Sequence, residues 1–343
     1  MINKLSISNF KSIKELDIDC TRVNLFIGEP NTGKSNIIEA LGLLSWLSNK
    51  EKNLNEFVRF KNIRQLFYEG LTDRHIKIYV DFKFDFNCHQ TIIITQEGGT
   101  YLVDHQLIDV DSNHSSGVMM VMNADGKISS WSGPEIIRRY NFIRFYRFKI
   151  IDSFPDTESA ILLPPYGSNL VSLIIASEKI RETITHLAND FRLKIMIRDY
   201  EQTIEFVKQL TDIISFSYPY ITISDTLLRM IFYNVAIDSN ENSTLVFEEP
   251  EVHAFPSYIK QLGEKIAFDK SNQYFIATHN PYLLLSILEK TPRNEVNVFI
   301  TDLIENQTKV KCLNEEEKSE LMDYDPFANL DYFLRTIKLE NSK

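Results

Sequence analysis

The sequence predicts an α/β fold, and three observations carry the prediction. A short apolar strand, Arg22–Ile27, runs straight into a glycine-rich loop that opens a helix. Apolar strands return at Thr244–Phe247, Gln273–Ala277 and Val296–Thr301, separated by helical patterns, as in a mostly parallel sheet. Between these halves lies a stretch of period-two alternation, which reads as an antiparallel subdomain.

At 343 residues the chain is long enough for one large α/β domain or two modest ones. Its 43% hydrophobic and 24% charged residues supply the apolar surface of an ordinary globular core. No apolar run approaches the ~18–20 residues of a membrane helix, and the stretch around Leu170–Ala176 is far shorter. The start, Met1-Ile2-Asn3-Lys4-Leu5, enters a strand pattern with no apolar leader, so a cytoplasmic location without membrane contact is expected. Cys20, Cys88 and Cys312 are spaced for neither a disulfide framework nor a zinc site. The net charge of -10 argues against a chain that coats nucleic acid with its whole surface, but leaves a local basic groove open. Acidic residues near the end (Glu315, Glu316, Glu317, Glu320, Asp323 and Asp325) read as a solvated face.

In chain order, Leu5–Phe10 alternates and Leu16–Cys20 follows, suggesting two strands of a small antiparallel sheet. After the glycine loop, Ile37, Leu41, Leu44 and Leu47 mark a helix over Asn36–Leu47. From His75 to Phe86, Ile76, Ile78, Val80, Phe82, Phe84 and Phe86 share one strand face; His75, Lys77, Asp81, Lys83 and Asp85 share the other. Strands at Thr91–Thr95 and Val118–Met122, with turn signals at Gly98-Gly99 and Asn123-Ala124-Asp125-Gly126, extend a meander over residues 74–132. Residues 169–215 lose that period and read as helical. With no repeat, heptad array or low-complexity linker, a single domain over 1–343 is expected. It divides into a P-loop lobe (1–73), a β insert (74–150), a helical lobe (169–220), a lobe carrying the later motifs (221–301) and an extension (302–343).

Gly28-Glu29-Pro30-Asn31-Thr32-Gly33-Lys34-Ser35 matches the phosphate-loop pattern GxxxxGK[ST] in full, between a predicted strand and a predicted helix. Gly28 and Gly33 free the backbone to turn N–H groups toward phosphate oxygens. In that pattern Lys34 reaches the β- and γ-phosphates, Ser35 holds Mg²⁺, and the helix start, with Asn36, faces the same charge. Downstream, the apolar strand Thr244–Phe247 delivers two adjacent carboxylates. Glu248 would hold Mg²⁺, directly or through water, and Glu249 would orient or deprotonate an attacking water. His279, after the strand ending at Ala277, would sense the γ-phosphate or polarise that water; the plainer alternative is a histidine capping the next helix.

These motifs resemble the SMC/RecF/OLD branch of ABC-type ATPases. The resemblance is carried by Ile7-Ser8-Asn9-Phe10-Lys11-Ser12, Asn24–Gly28, Gly33–Asn36, Pro165–Leu170, Glu248–His253 with Pro256, and Thr278–Pro281. It implies an ABC-type P-loop NTPase head with an antiparallel β-subdomain and a helical lobe, using ATP and Mg²⁺ as cofactors. It also implies a head-to-head homodimer in which Ser224, in the signature segment Ile223–Arg229, meets the γ-phosphate bound by the other subunit. Lys11 joins the nucleotide-binding residues on the same grounds. The sequence departs from the branch at Thr226, where a glycine is usual, at Phe255, where OLD-like members often carry histidine, and in lacking an identifiable Q-loop glutamine. Tyr146 or a neighbour in Phe142–Phe148 occupies that region. There are no heptads for SMC arms, and too few residues follow His279 for a TOPRIM nuclease domain. The chain therefore resembles a stand-alone OLD-like ATPase, whose effector, such as a nuclease, would be a separate protein.

Arg138, Arg139, Arg144, Arg147 and Lys149 interleave with Tyr140, Phe142, Phe145, Tyr146 and Phe148, which suits nucleic-acid contact. The bland alternative is a strand with a buried aromatic face and a basic solvent face. A further basic scatter (Lys179, Arg181, Arg192, Lys194, Arg198) is less specific. Three functions follow for weighing. The first is an ATP-driven switch in DNA repair or in defence against phage and plasmids, and the second an ATP-binding scaffold with little turnover. The third, a transporter subunit, is disfavoured by the β insert and the Glu248-Glu249-Pro250-Glu251 wording.

Overall fold

The computed structural model describes residues 1–49, 52–83, 87–110, 114–133, 142–155 and 157–323. Phe84, Asp85, Phe86, Arg138, Arg139, Tyr140 and Asp325, named above, lie outside them. In chain order the first half comprises β1 (Ile2–Phe10), β2 (Ile13–Asp19), β3 (Val23–Gly28), α1 (Lys34–Leu47), β4 (Ile76–Lys83), β5 (Asn87–Glu97), β6 (Thr100–Asp109), β7 (His114–Met122), β8 (Ile128–Ser132) and β9 (Ile143–Tyr146). Then come α2 (Leu170–Ala176), α3 (Glu178–Asp190), β10 (Lys194–Arg198), β11 (Thr203–Gln209), β12 (Ser215–Pro219) and α4 (Asp225–Asp238). The chain continues through β13 (Thr244–Glu248), α5 (Pro256–Phe268), β14 (Gln273–Ala277), α6 (Pro281–Lys290), β15 (Val296–Ile304), β16 (Gln307–Cys312) and α7 (Glu315–Asp323).

Two sheets sandwich the helix that follows the phosphate loop. The six-stranded sheet has the order β16-β15-β3-β14-β13-β9, parallel except for β16. Its central strands are apolar on both faces, as a sheet covered twice requires: every residue of β3 and β14 is buried. The seven-stranded antiparallel sheet runs β2-β1-β4-β5-β6-β7-β8. Ile76, Ile78, Val80 and Phe82 turn its inner face onto α1, together with Phe26, Phe145, Val246 and Phe275 from the parallel sheet. Pressed from both sides, α1 is buried nearly all round, and a conventional amphipathic stripe is missing for that reason. The other face of the parallel sheet is covered by α2, α4, α5 and α6, through residues such as Leu170, Leu228, Leu262 and Leu284.

Three sequence expectations need correction. β1 pairs with both β2 and β4 in the large antiparallel sheet, so the boundary placed at residue 73 cuts through one sheet. β9, expected in the insert ending at 150, pairs in parallel with β13 instead. The helical reading of 169–215 fits α2 and α3, but beyond Asp190 the chain forms the antiparallel sheet β10-β11-β12. There the alternation of Ile195 with Ile197 and of Ile204 with Phe206 sets a period of two: one face of β10 and β11 meets the core, while β12 is exposed throughout.

Candidate functional site

The neighbouring strands β3, β14 and β13 end at the same sheet edge, with Phe26 opposite Ala277 and Ala277 opposite Glu248. Each therefore delivers its following loop to one place, outside the carboxyl ends of parallel strands. A cavity of about 460 Å³ opens there. Pro30, Asn31, Gly33, Lys34, Ser35 and Asn36 of the phosphate loop line one side of it. Glu249, His279 and Arg59 face them.

The loop geometry depends on its two glycines. Gly28 has φ 150° and Gly33 φ 100°, and a Cβ on Gly33 would come within 1.9 Å of the Thr308 hydroxyl. Thr32 turns inward, its hydroxyl donating to the Glu29 carbonyl (2.8 Å) and lying 2.6 Å from that of Thr301. The Lys34 ammonium folds back on its own loop and donates to the carbonyls of Gly28 (2.8 Å) and Glu29 (2.6 Å). Burial lowers its pKa to about 8, against the opposing pull of Glu249 and Glu29.

Opposite, His279 Nε2 lies 3.2 Å from Glu249 Oε1. This bond, more than the charges of Lys34 and Arg59, holds the Glu249 carboxyl below its ordinary pKa, so it is ionised at neutral pH. Glu251 braces the pair from beneath, accepting from the Thr278 hydroxyl (2.6 Å) and the His279 backbone N–H (3.0 Å). Its own pKa is raised, chiefly by burial. The helix after His279 is capped by Asn280, whose side chain accepts from Tyr282 N–H (2.9 Å), so the capping alternative for His279 does not apply.

Glu248, expected at the metal, points elsewhere. Its oxygens accept from Arg59 (3.0 Å) and from Arg147, whose two guanidinium nitrogens approach to 2.9 and 2.7 Å. The same arginines bond Glu39 of α1, whose fully buried carboxylate also pairs with Lys11. Lys11 therefore lies behind the site, lining a separate hollow of about 760 Å³ with Asn36 and Arg59. Arg147 follows β9 directly, whereas Tyr146, considered for the Q-loop region, is buried in the core with its hydroxyl on the Leu162 carbonyl (2.6 Å). Ser224 is not among the residues around the cavity; it is the N-cap of α4 and accepts from Leu227 N–H. The Thr226 hydroxyl ties the same helix start to the His253 carbonyl (2.9 Å). Arg59 and Ser12 were missed as site residues by sequence reasoning, and Arg147 was named only as a candidate nucleic-acid contact. Ser12 sat inside a quoted motif, but Arg59 and Arg147 reach the site across ion pairs that leave no local spacing.

The oxygen donors suit a Mg²⁺ ion bound with nucleotide phosphates, since such sites take only one or two protein oxygens besides phosphate and water. Ser35 lies in the cavity, and the Glu248 carboxylate would become free for an ion once its arginines let go.

Residues 1–218 match a family described as the AAA ATPase domain. No protein with a curated description matches the chain. Among solved structures, the chain is similar to one described as the crystal structure of the SmcHead bound to the C-winged helix domain of ScpA. The identity is 16% and the TM-score 0.53, over 92% of this chain and 98% of that one. At such identity the likeness concerns the fold, that of a P-loop NTPase head.

Proposed function

Because the chain belongs to the AAA ATPase domain family, we propose that it binds Mg-ATP and hydrolyses it as an OLD-like, head-to-head homodimer. The observation that carries this proposal is the meeting of Lys34, Ser35 and the Glu249–His279 pair around one cavity. Lys34 would exchange its two loop carbonyls for phosphate oxygens, a change the loop invites by leaving its ammonium partly desolvated. Glu249, already ionised, would orient or deprotonate the attacking water, and His279 would hold that carboxylate in place. Mg²⁺, held by Ser35 and Glu248, would supply charge neutralisation at the phosphates. Arg59 and Arg147, released from Glu248, would remain beside the site with their charge on Glu39.

The output is proposed to be a conformational switch acting on DNA or on a separately encoded effector, in DNA repair or in defence against phage and plasmids. A protein partner gains support from the similar SMC head, which was crystallised with a winged helix domain. A scaffold with little turnover is the second reading. Two observations favour it: Thr226 in the signature segment, and a Glu248 already occupied by two arginines.

The test is the ATP hydrolysis rate of the purified protein with and without duplex DNA, beside Lys34→Ala and Glu249→Gln. Turnover that disappears in both variants is expected, with Glu249→Gln still binding ATP. A rate no higher than that of Lys34→Ala would transfer the weight to the scaffold, and a rate indifferent to DNA would point to a protein input.

A further inference from the structure

The basic run singled out in the sequence is divided by the fold among different tasks. Arg147 serves the carboxylates Glu248 and Glu39, and Lys149 lies over the Tyr166 ring. Arg144 does neither. It sits on β9, is not among the residues around the nucleotide cavity, and lines a hollow of about 360 Å³ with Lys52, Ser48, Asn49, Thr157 and Leu163.

The hollow combines positive charge with missing partners. Arg144 Nε is buried without a hydrogen-bond partner, and so is the Ser48 hydroxyl. Among the described residues the Lys52 ammonium donates to the Pro164 carbonyl alone (2.7 Å). Neither cation has a salt-bridge carboxylate among the described residues. The nearby end of α1 offers little relief. Its Ser45 carbonyl already accepts from Asn49 Nδ2 (3.0 Å), and its Trp46 carbonyl from Asn49 N–H (2.7 Å). Arginine does not escape burial by losing its proton, so a desolvated guanidinium calls for an anion. Burial is the largest influence on the Arg144 and Lys52 pKa values and lowers both, outweighing the pull of Glu56 on Lys52.

We propose that this hollow binds a small phosphate-bearing anion, held by Arg144 and Lys52 at the far end of α1 from the phosphate loop. Ser48 and Thr157 line the hollow beside the two cations, and their hydroxyls would add to them more donors than a carboxylate with two oxygens would use. The opposite wall is apolar, formed by Ile161, Leu163 and Pro164, and suits an organic group attached to the phosphate. The site is separate from the nucleotide cavity: the 14 residues of α1 hold the two apart by about 20 Å.

The test is calorimetric titration of the full chain carrying Lys34→Ala, which disables the phosphate loop, with phenyl phosphate and with inorganic phosphate. Saturable binding of one ligand per chain is expected, weakened at least tenfold by adding Arg144→Met or Lys52→Met. Tighter binding of phenyl phosphate identifies a phosphomonoester as the ligand, and equal binding identifies free phosphate. Thermal unfolding checks each variant, and Lys52→Met, at a partly exposed position, serves if Arg144→Met fails to fold. Absence of saturable binding in the Lys34→Ala protein would overturn the proposal, as would binding that survives both substitutions. So would a duplex oligonucleotide that binds through Arg144 where phenyl phosphate does not.

Discussion

At Lys34, burial and charge act in opposite directions, and burial prevails: the ammonium is held by two carbonyls, and its pKa falls to about 8. Phosphate oxygens would reverse that balance, so nucleotide should bind the protonated form more tightly. ATP binding is therefore expected to take up about half a proton per site at pH 8, close to one near pH 9 and almost none at pH 6.5. Calorimetry in buffers of different ionisation enthalpy measures this; proton uptake that does not change with pH would remove Lys34 from the phosphate contact. The stability sign follows separately. Because the folded pKa lies below the unfolded value, the unfolded chain binds more protons between about pH 8 and 10.5, and this group's destabilising share fades as pH rises through that window. The phosphate loop was legible because its eight residues are contiguous and each meets a local steric or charge demand. Arg59 and Arg147 were not, because their roles rest on Glu39 and Glu248, as far as 189 residues away in sequence.

At the scale of elements, the antiparallel sheet carries a buried group that neither the motifs nor the cavity uses. His105 on β6 is 1% exposed; Gln90 of β5 meets its Nε2 at 2.8 Å, and its Nδ1 has no partner. Burial pushes its pKa down to about 4, so the imidazole stays neutral in the folded sheet. The unfolded chain protonates it near pH 6.5, and the fold consequently loses stability as pH falls from 6.5 toward 4. This one group should cost about 2 kcal/mol between pH 7 and pH 5. Urea titrations at the two pH values should show the loss in the native chain and a smaller one in His105→Gln; equal losses would place the acid sensitivity elsewhere. Period-two alternation made β4 readable, because a sheet with one face on the core must alternate. The strands β10, β11 and β12 were read as helix because they are short: the alternation of β10 and β11 spans only a few residues, and β12 is exposed throughout and carries none.

For the whole molecule, the separation of Ser224 from the cavity decides what a complete site needs. Lys34, Ser35, Glu249 and His279 assemble within one chain, whereas the start of α4 lies outside that cavity and is tied to the His253 carbonyl through Thr226. The parallel sheet was foreseeable from its apolar strands, and the arrival of three loops at one edge from their motifs. The packing of α1 between two sheets was not, since its nearly uniform burial erases the stripe that would have shown which side faced the core. If a second copy closes the site, ATP should draw two chains together most stably when hydrolysis is blocked. Light scattering on Glu249→Gln with Mg-ATP is expected to show a doubled mass, which ADP does not sustain. Ser224→Arg placed on that background should abolish the doubling while ATP binding persists, because the substitution crowds the interface and spares the residues of the cavity. It also removes an N-cap, at about 1 kcal/mol, so thermal unfolding must show α4 and the fold intact. Doubling that survives Ser224→Arg would move the contact away from the signature helix. A chain that stays monomeric with ATP would mean that the group completing the cavity comes from a different protein.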